Sequence, residues 1–224
     1  MTGLSARSLP CGIQQKMMKK KTGRTLGTVV AIFIVVLSSC SQSTLRPVPL
    51  NGVILAFGDS LTYGTGASPG ASYPEVLEIL VKRKVFNSGV PGETSAEGRD
   101  RLQGVLDKVR PDLVLLCHGG NDLLRKMDTI KTVENIMEMI RMIRDSGSQV
   151  VLIGIPRPGL LPSTADFYKD IARNMKVPFE GTIMAEILSQ GNLKSDYIHP
   201  NDRGYARIAE AMARFLKKYK VVTD

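Results

Sequence analysis

The feature that most limits the fold is an alternation of two hydrophobic periods along residues 53 to 222. Short apolar runs, Val53 to Phe57, Val85 to Asn87, Leu113 to Cys117 and Val150 to Ile155, lead into loops, several with Gly within a few residues. Their near-continuous apolarity predicts strands buried on both faces. Between them Tyr73 to Lys82, Ala96 to Val109 and Thr129 to Asp145 carry apolar residues at helical spacing. In the third of these Ile130, Val133, Met137 and Ile140 form the stripe and Arg144 continues the step. Tyr205, Ile208, Met212, Phe215 and Tyr219 form another, with Asn201 as its N-cap after Pro200. Strand and helix in alternation, joined by right-handed crossovers, give an open α/β fold with a parallel sheet covered on both sides. Such a sheet takes its ligands beyond the carboxyl ends of its strands.

Composition narrows the function. With 224 residues, 43% hydrophobic and 23% charged, the chain has room for one domain of ordinary size and is no collagen, coiled coil or wholly disordered polymer. Its net charge of +9 is concentrated at one end. Arg7, Lys16, Lys19, Lys20, Lys21 and Arg24 precede the first acidic residue, Asp59, and beyond them 24 basic residues face 21 acidic ones. No nucleic-acid face is therefore implied. Cys11, Cys40 and Cys117 lack metal-ligand spacing and form no CxxC, so neither a zinc module nor a disulfide framework is indicated, and Cys117 reads as a buried apolar residue. Gly64-Thr65-Gly66 with Gly70 misses the dinucleotide spacing by one residue, and no GK[ST] is present.

The first forty residues read as an address. A basic stretch, Lys16 to Arg24, precedes the apolar run Leu26 to Leu37 and the small residues Ser38 and Ser39, the order of a secretory signal. Twelve apolar residues are too few for a bilayer core, which needs about 20 in a helix. Leu37-Ser38-Ser39-Cys40 resembles the lipobox of bacterial lipoproteins, in which the Cys carries the lipid; an ordinary cleaved signal or an uncleaved anchor is the alternative. The expected organisation is a signal over 1–39, with 1–15 upstream of what a signal needs and a start at Met17 or Met18. Cys40 then opens a lipidated tether over 40–52, and a domain covers 53–222. Ser41 to Leu50, with two Pro and no apolar period, reads as extended.

The residues able to do chemistry fall at the predicted strand ends. In Gly58-Asp59-Ser60 the Ser follows the first strand directly, which puts its hydroxyl at the ligand edge with its own N–H free to donate. Of the two histidines, His199 stands three residues after Asp196, a spacing that on a turn lets the carboxylate reach the Nδ1 side of the ring. Read alone, the same pentapeptide fits a capping Asp and a surface His. His118, with no carboxylate at comparable spacing, reads as structural or pocket-lining. Two donors for a developing oxyanion stand after the second and third strands: the Gly89 N–H, where glycine permits close backbone approach, and the Asn121 amide. Gly66-Ala67-Ser68-Pro69-Gly70 fits G-x-S-x-G, but Pro69 lacks the N–H that motif needs, so Ser68 reads as a loop residue. Leu123 and Leu124, with Met127 and the segment Pro156 to Pro162, would either wall an apolar acyl site or pack their own loops.

GDS at 58–60, Gly89, GGND at 119–122 and DxxHP at 196–200 occur in an order that resembles the GDSL, or SGNH, hydrolases across nearly all of 53–222. The runs ILAFGDSLTYG and DYIHPN are similar to the bacterial periplasmic branch with thioesterase I, lysophospholipase L1 and arylesterase activities. The resemblance implies a three-layer flavodoxin-like fold with a central parallel sheet of about five strands, and no metal or cofactor. It implies Ser60 as nucleophile, His199 as base, Asp196 as its orienting partner, and an oxyanion hole from the Ser60 N–H, Gly89 N–H and Asn121 amide. The expected protein is a monomeric serine esterase of the bacterial envelope, lipid-anchored on the periplasmic side, acting on acyl esters or thioesters. A carbohydrate or cell-envelope O-acetylesterase is the alternative within the family, and a non-catalytic envelope lipoprotein the alternative outside it.

Overall fold

A computed structural model describes residues 45–159 and 162–222. Five parallel strands, β1 (Val53–Gly58), β2 (Lys84–Gly89), β3 (Leu113–Cys117), β4 (Gln149–Ile153) and β5 (Phe179–Glu180), lie in the order β2-β1-β3-β4-β5. The chain steps outward from β1 to β2 and then back past β1 to β3, so the connections leaving β1 and β3 diverge to opposite faces and open a crevice at their carboxyl ends. The 2-1-3-4-5 order is the flavodoxin-like one that the sequence resemblance implies.

Helices α2 (Tyr73–Val81), α7 (Ile183–Leu188) and α8 (Asp202–Lys218) pack together on one face. On the other lie α3 (Ser95–Val109), α5 (Thr129–Asp145) and α6 (Asp166–Met175). Two very short helices, α1 (Ser60–Tyr63) and α4 (Gly120–Leu124), follow β1 and β3 directly. Local signals set the longer helix starts. Thr94 and Glu97 cap α3 reciprocally, and the Asn201 side chain accepts the Gly204 N–H at 3.1 Å to start α8, as its sequence predicts.

Three expectations shift. The run Val85 to Asn87 is not buried on both faces: β2 is the edge strand, and Val85 is its one buried residue. In α5 the inward line is Thr132, Ile136, Met139, Ile140 and Ile143, with Val133 and Met137 at its flank and Ile130 67% exposed. At a hundred degrees per residue, a stripe chosen from spacing alone lands within one position of the true one. Residues 45–49 form no regular element and lead into a turn at Leu50, yet they are held along the domain: Val48 is buried and donates its N–H to the Val221 carbonyl at 2.8 Å, and the Gln149 amide donates to Arg46 O at 3.0 Å. The packed unit therefore begins before Val53. The signal and Cys40 lie outside the described residues.

Gly58 ends β1 opposite Gly89 of β2 and Cys117 of β3. A Cβ there would stand 2.1 Å from the Cys117 carbonyl oxygen and 2.4 Å from Thr62 Oγ1, distances no side chain tolerates. Gly58→Ala is expected to cost at least about 1–3 kcal/mol, as overpacking does, and urea denaturation would measure it. An unchanged midpoint would show that the crevice is built with more slack than these distances allow.

Candidate active site

The turn from β1 into α1 sets the first reactive group. Asp59 caps α1, its side chain accepting the Leu61 N–H at 3.0 Å and its carbonyl accepting those of Thr62 and Tyr63 at 3.1 and 2.9 Å. Burial raises the Asp59 carboxyl above its ordinary range, and the His118 ring and the N–H groups of Leu61 and Gly120 offset only part of that. Ser60 thus occupies the first helical position, where a helix leaves N–H groups without internal acceptors.

The Ser60 hydroxyl lies 3.0 Å from Nε2 of His199, and Nδ1 of that ring lies 2.8 Å from Asp196 Oδ2. The other carboxylate oxygen accepts the N–H groups of Ile198 and His199, each at 2.8 Å, which fixes the turn carrying the imidazole. Burial alone would raise the Asp196 carboxyl, but the His199 ring and these two N–H groups hold it below its usual value. Asp196 is therefore ionised at neutral pH and sets His199 as the Nδ1–H tautomer, with Nε2 left to accept a proton from Ser60.

Contacts from the α1–α2 loop hold this turn in place. Gly66, at φ +92°, lies so close to Ser195 and Pro200 that a Cβ would meet Ser195 Oγ at 2.0 Å. Ser68, the loop residue of the rejected elbow motif, donates its N–H and hydroxyl to Asp202 in α8 at 2.7 and 2.9 Å. Tyr205 donates to Thr65 O at 2.9 Å.

Of the expected donors, Ser60 and Asn121 line the same cavity as His199, and Gly89 ends β2 beside Gly58. The Asn121 Nδ2 gives one hydrogen to the Glu93 carbonyl at 2.9 Å, leaving its second free. The Gly89 N–H donates to Asn87 Oδ1 at 3.0 Å, so it serves a substrate only by sharing or exchanging that bond. The need for glycine at 89 also differs from the expected one. A Cβ would fall 2.0 Å from Tyr63 N, so it is the α1 backbone, not a ligand, that excludes a side chain.

His118 is fully buried, with Nδ1 accepting the Gly119 N–H at 3.0 Å and Nε2 2.9 Å from Glu93 Oε2. It faces away from the reactive hydroxyl, in keeping with its structural reading; its carboxylate partner comes from 25 residues away, beyond any local spacing rule. Glu93 also takes two bonds from Arg101, at 2.6 and 2.7 Å. Although burial opposes ionisation, these Arg101 and His118 contacts pull the Glu93 carboxyl down to about 2. Cys117 is buried, and burial pushes its thiol well up. Asp122 of the GGND run ties α4 to the start of α3, accepting the Ser95 N–H at 2.8 Å and hydroxyl at 2.5 Å.

The hydroxyl opens into a cavity of about 330 Å³ whose apolar wall comes from Leu124, Ile155, Pro156, Pro158, Leu188 and Ile198. Leu124 lines it, as expected, but Leu123 does not: one residue earlier on α4, it turns inward and packs against the core. The segment expected after the fourth strand reaches the wall too, and it brings a cation there, Arg157, alongside its prolines. A larger depression, about 800 Å³, lies around Arg46, Asp107, Arg110 and Gln149 at the amino edge of the sheet, remote from this chemistry.

Comparison with known proteins agrees with the geometry. The profile of the GDSL-like Lipase/Acylhydrolase family matches residues 56–207. The chain belongs to that family. It is a serine esterase of the SGNH type. It is 30% identical over 194 residues to an arylesterase of Vibrio mimicus, covering 82% of this chain and 94% of that one. It is 29% identical over 172 residues to thioesterase 1/protease 1/lysophospholipase L1 of Escherichia coli, covering 73% and 83%. In fold it is similar to the psychrotrophic esterase EstA from Pseudoalteromonas, with TM-score 0.69 at 22% identity over 75% of this chain and 98% of that one.

Because the folded Glu93 carboxyl titrates below its unfolded value, its contribution to stability is complete above about pH 4.5 and is lost as pH falls toward 2. Glu93→Gln should therefore lower the thermal midpoint at pH 7 and narrow the gap from the parent as pH falls. Two parallel curves down to pH 2.5 would contradict the assignment.

Proposed function

We propose that this esterase hydrolyses carboxylic esters or thioesters by two-step acyl transfer through an acyl-enzyme on Ser60. The observation that carries the reading is the continuous relay Ser60 Oγ, His199, Asp196, at 3.0 and 2.8 Å, opening into an apolar cavity. His199 takes the hydroxyl proton, Ser60 Oγ attacks the acyl carbon, and the charge on the carbonyl oxygen is met by the uncharged donors Ser60 N–H, Gly89 N–H and Asn121 Nδ2. The imidazolium, stabilised by Asp196, gives its proton to the leaving alcohol or thiol. Water then enters by the same relay and frees the acid.

An apolar cavity of about 330 Å³ favours an acyl or alcohol portion larger than acetyl, in line with the arylesterase and lysophospholipase activities named for the relatives. A p-nitrophenyl ester series from acetate to decanoate should peak beyond acetate. A maximum at acetate would favour the O-acetylesterase reading instead.

Ser60→Ala and His199→Ala should each lower kcat by at least about 1,000-fold, and Ser60→Ala should abolish labelling by a fluorophosphonate. His118→Ala should destabilise the fold yet keep turnover within about tenfold of the parent. Reversal of the two histidine phenotypes would exchange their roles. The lipobox-like segment supports export with a lipid on Cys40; Cys40→Ser should then lose palmitate labelling in a bacterial host, and retained labelling would remove the anchor.

A further inference from the structure

Arg101 touches no part of the cavity, yet its guanidinium holds two points where β2 leads into α3, Ser88 and Glu93, each one bond away from an expected oxyanion donor. Nη2 donates to the Ser88 carbonyl at 3.1 Å and Nη1 to Ser88 Oγ at 2.7 Å. That carbonyl belongs to the same peptide unit as the Gly89 N–H. In a planar trans peptide the two point in opposite directions, so holding the oxygen on the Arg101 side aims the N–H the other way. Nε and Nη2 meanwhile grip the two carboxylate oxygens of Glu93, whose main-chain carbonyl takes one hydrogen of the Asn121 amide and so sets the rotation of the other. The guanidinium also lies 4.2 Å from the centre of the Phe57 ring, one residue before Gly58 on the strand that delivers Ser60.

We propose that Arg101 is a positioning residue: one guanidinium fixes, relative to β1, both oxyanion donors that lie outside the nucleophile's own turn. The inference rests on the reading of Ser60, Gly89 and Asn121 given above. Several features go beyond what a simple structural ion pair needs. The five-donor planar fork is used on two separate points of one connection, one contact falls on a main-chain carbonyl, and the groups it holds are directly joined to the N–H groups expected to meet charge in the transition state: Ser88 shares its peptide with Gly89, and Glu93 accepts from Asn121. His118 completes the arrangement from below, its Nε2 2.9 Å from the oxygen of Glu93 that Arg101 Nη2 also holds. Lysine, a compact point charge, reaches Glu93 or Ser88 but cannot span both with the same geometry.

The test compares parent, Arg101→Lys and Arg101→Gln on a p-nitrophenyl ester, with an aryl trifluoromethyl ketone as a mimic of the tetrahedral adduct. Misaimed donors weaken binding of the developing oxyanion and leave the ground state alone. For Arg101→Gln, kcat should fall about 10- to 100-fold with KM within about twofold, and affinity for the ketone should fall in parallel with kcat/KM. The shape of the pH–rate profile should stay as in the parent. Arg101→Lys should fall between the two, and it carries the test alone if the Gln variant does not fold. A lowered thermal midpoint with kcat unchanged on folded protein would overturn the proposal, as would a rise in KM alone. Fluorophosphonate labelling of Ser60 is run on every sample. Parent protein that is active but not labelled there would defeat the Ser60 reading itself, whereas labelled variants with parental kcat defeat only the role of Arg101.

Discussion

The backbone contact at the end of β1 is the constraint on which the site rests. Gly58 lies against the Cys117 carbonyl on one side and pairs with Gly89 on the other. Without a side chain there, β1 runs directly into α1, and β3 releases Gly119 to Asn121 beside it. Because the chain diverges to opposite faces after these two strands, a crevice opens between them, and the last turn, Asp196 to Pro200, brings the imidazole to it. The Gly89 and Gly66 contacts continue the same principle. Each is a place where two backbones meet too closely for a Cβ, and each joins a segment bearing a reactive group to another.

Charge is distributed unequally across the crevice. On the imidazole side Asp196 is half in water, its side chain 51% exposed, and is kept ionised by short N–H contacts more than by any buried cation. A partly hydrated carboxylate stabilises a transient imidazolium without pinning the proton to the ring. On the other side the proposed oxyanion donors are all neutral N–H groups, while the ion pair of the buried Glu93 and the part-buried Arg101 sits one layer behind. Neutral donors stabilise an oxyanion in proportion to how little they reorganise. The part-buried ion pair therefore contributes rigidity where direct charge would also hold the product acid.

How much of this could be read from the chain follows from what each signal depends on. The four longer strands, the helices α2, α3, α5 and α8, and the Asn201 cap rest on periodicity and local hydrogen bonding, which the sequence carries within about ten residues. Ser60, Asp196, His199 and Asn121 were legible because their chemistry sits in short runs, two of them at strand ends and the third on the turn before α8. Arg101 and Glu93 were not: Glu93 looks like a helix-entry acid ahead of Thr94, and Arg101 like any cation on an amphipathic helix. Only packing brings them against Ser88 and His118. The two-residue β5 and the four-residue α1 are too short for either hydrophobic period to register. Choosing between Leu123 and Leu124 required the phase of a five-residue helix, which spacing cannot supply.

The cavity wall obeys a different logic from the relay. Its segment after β4 contains Pro156, Pro158 and Pro162, each with φ fixed by its ring, so this part of the wall has little conformational entropy left to lose when substrate arrives. Across from it, Tyr197 lies on the very turn that carries His199 and is 94% exposed at the mouth. On the proposed reading, substrate shape is met partly by this proline-bearing segment, whose described residues share no hydrogen bond with the relay, and partly by a residue two positions from the base. On the same reading, changes in the first alter which acyl group fits while leaving proton transfer intact; changes in the second act on both, because the Ile198 and His199 N–H groups that directly follow Tyr197 are the ones that hold Asp196.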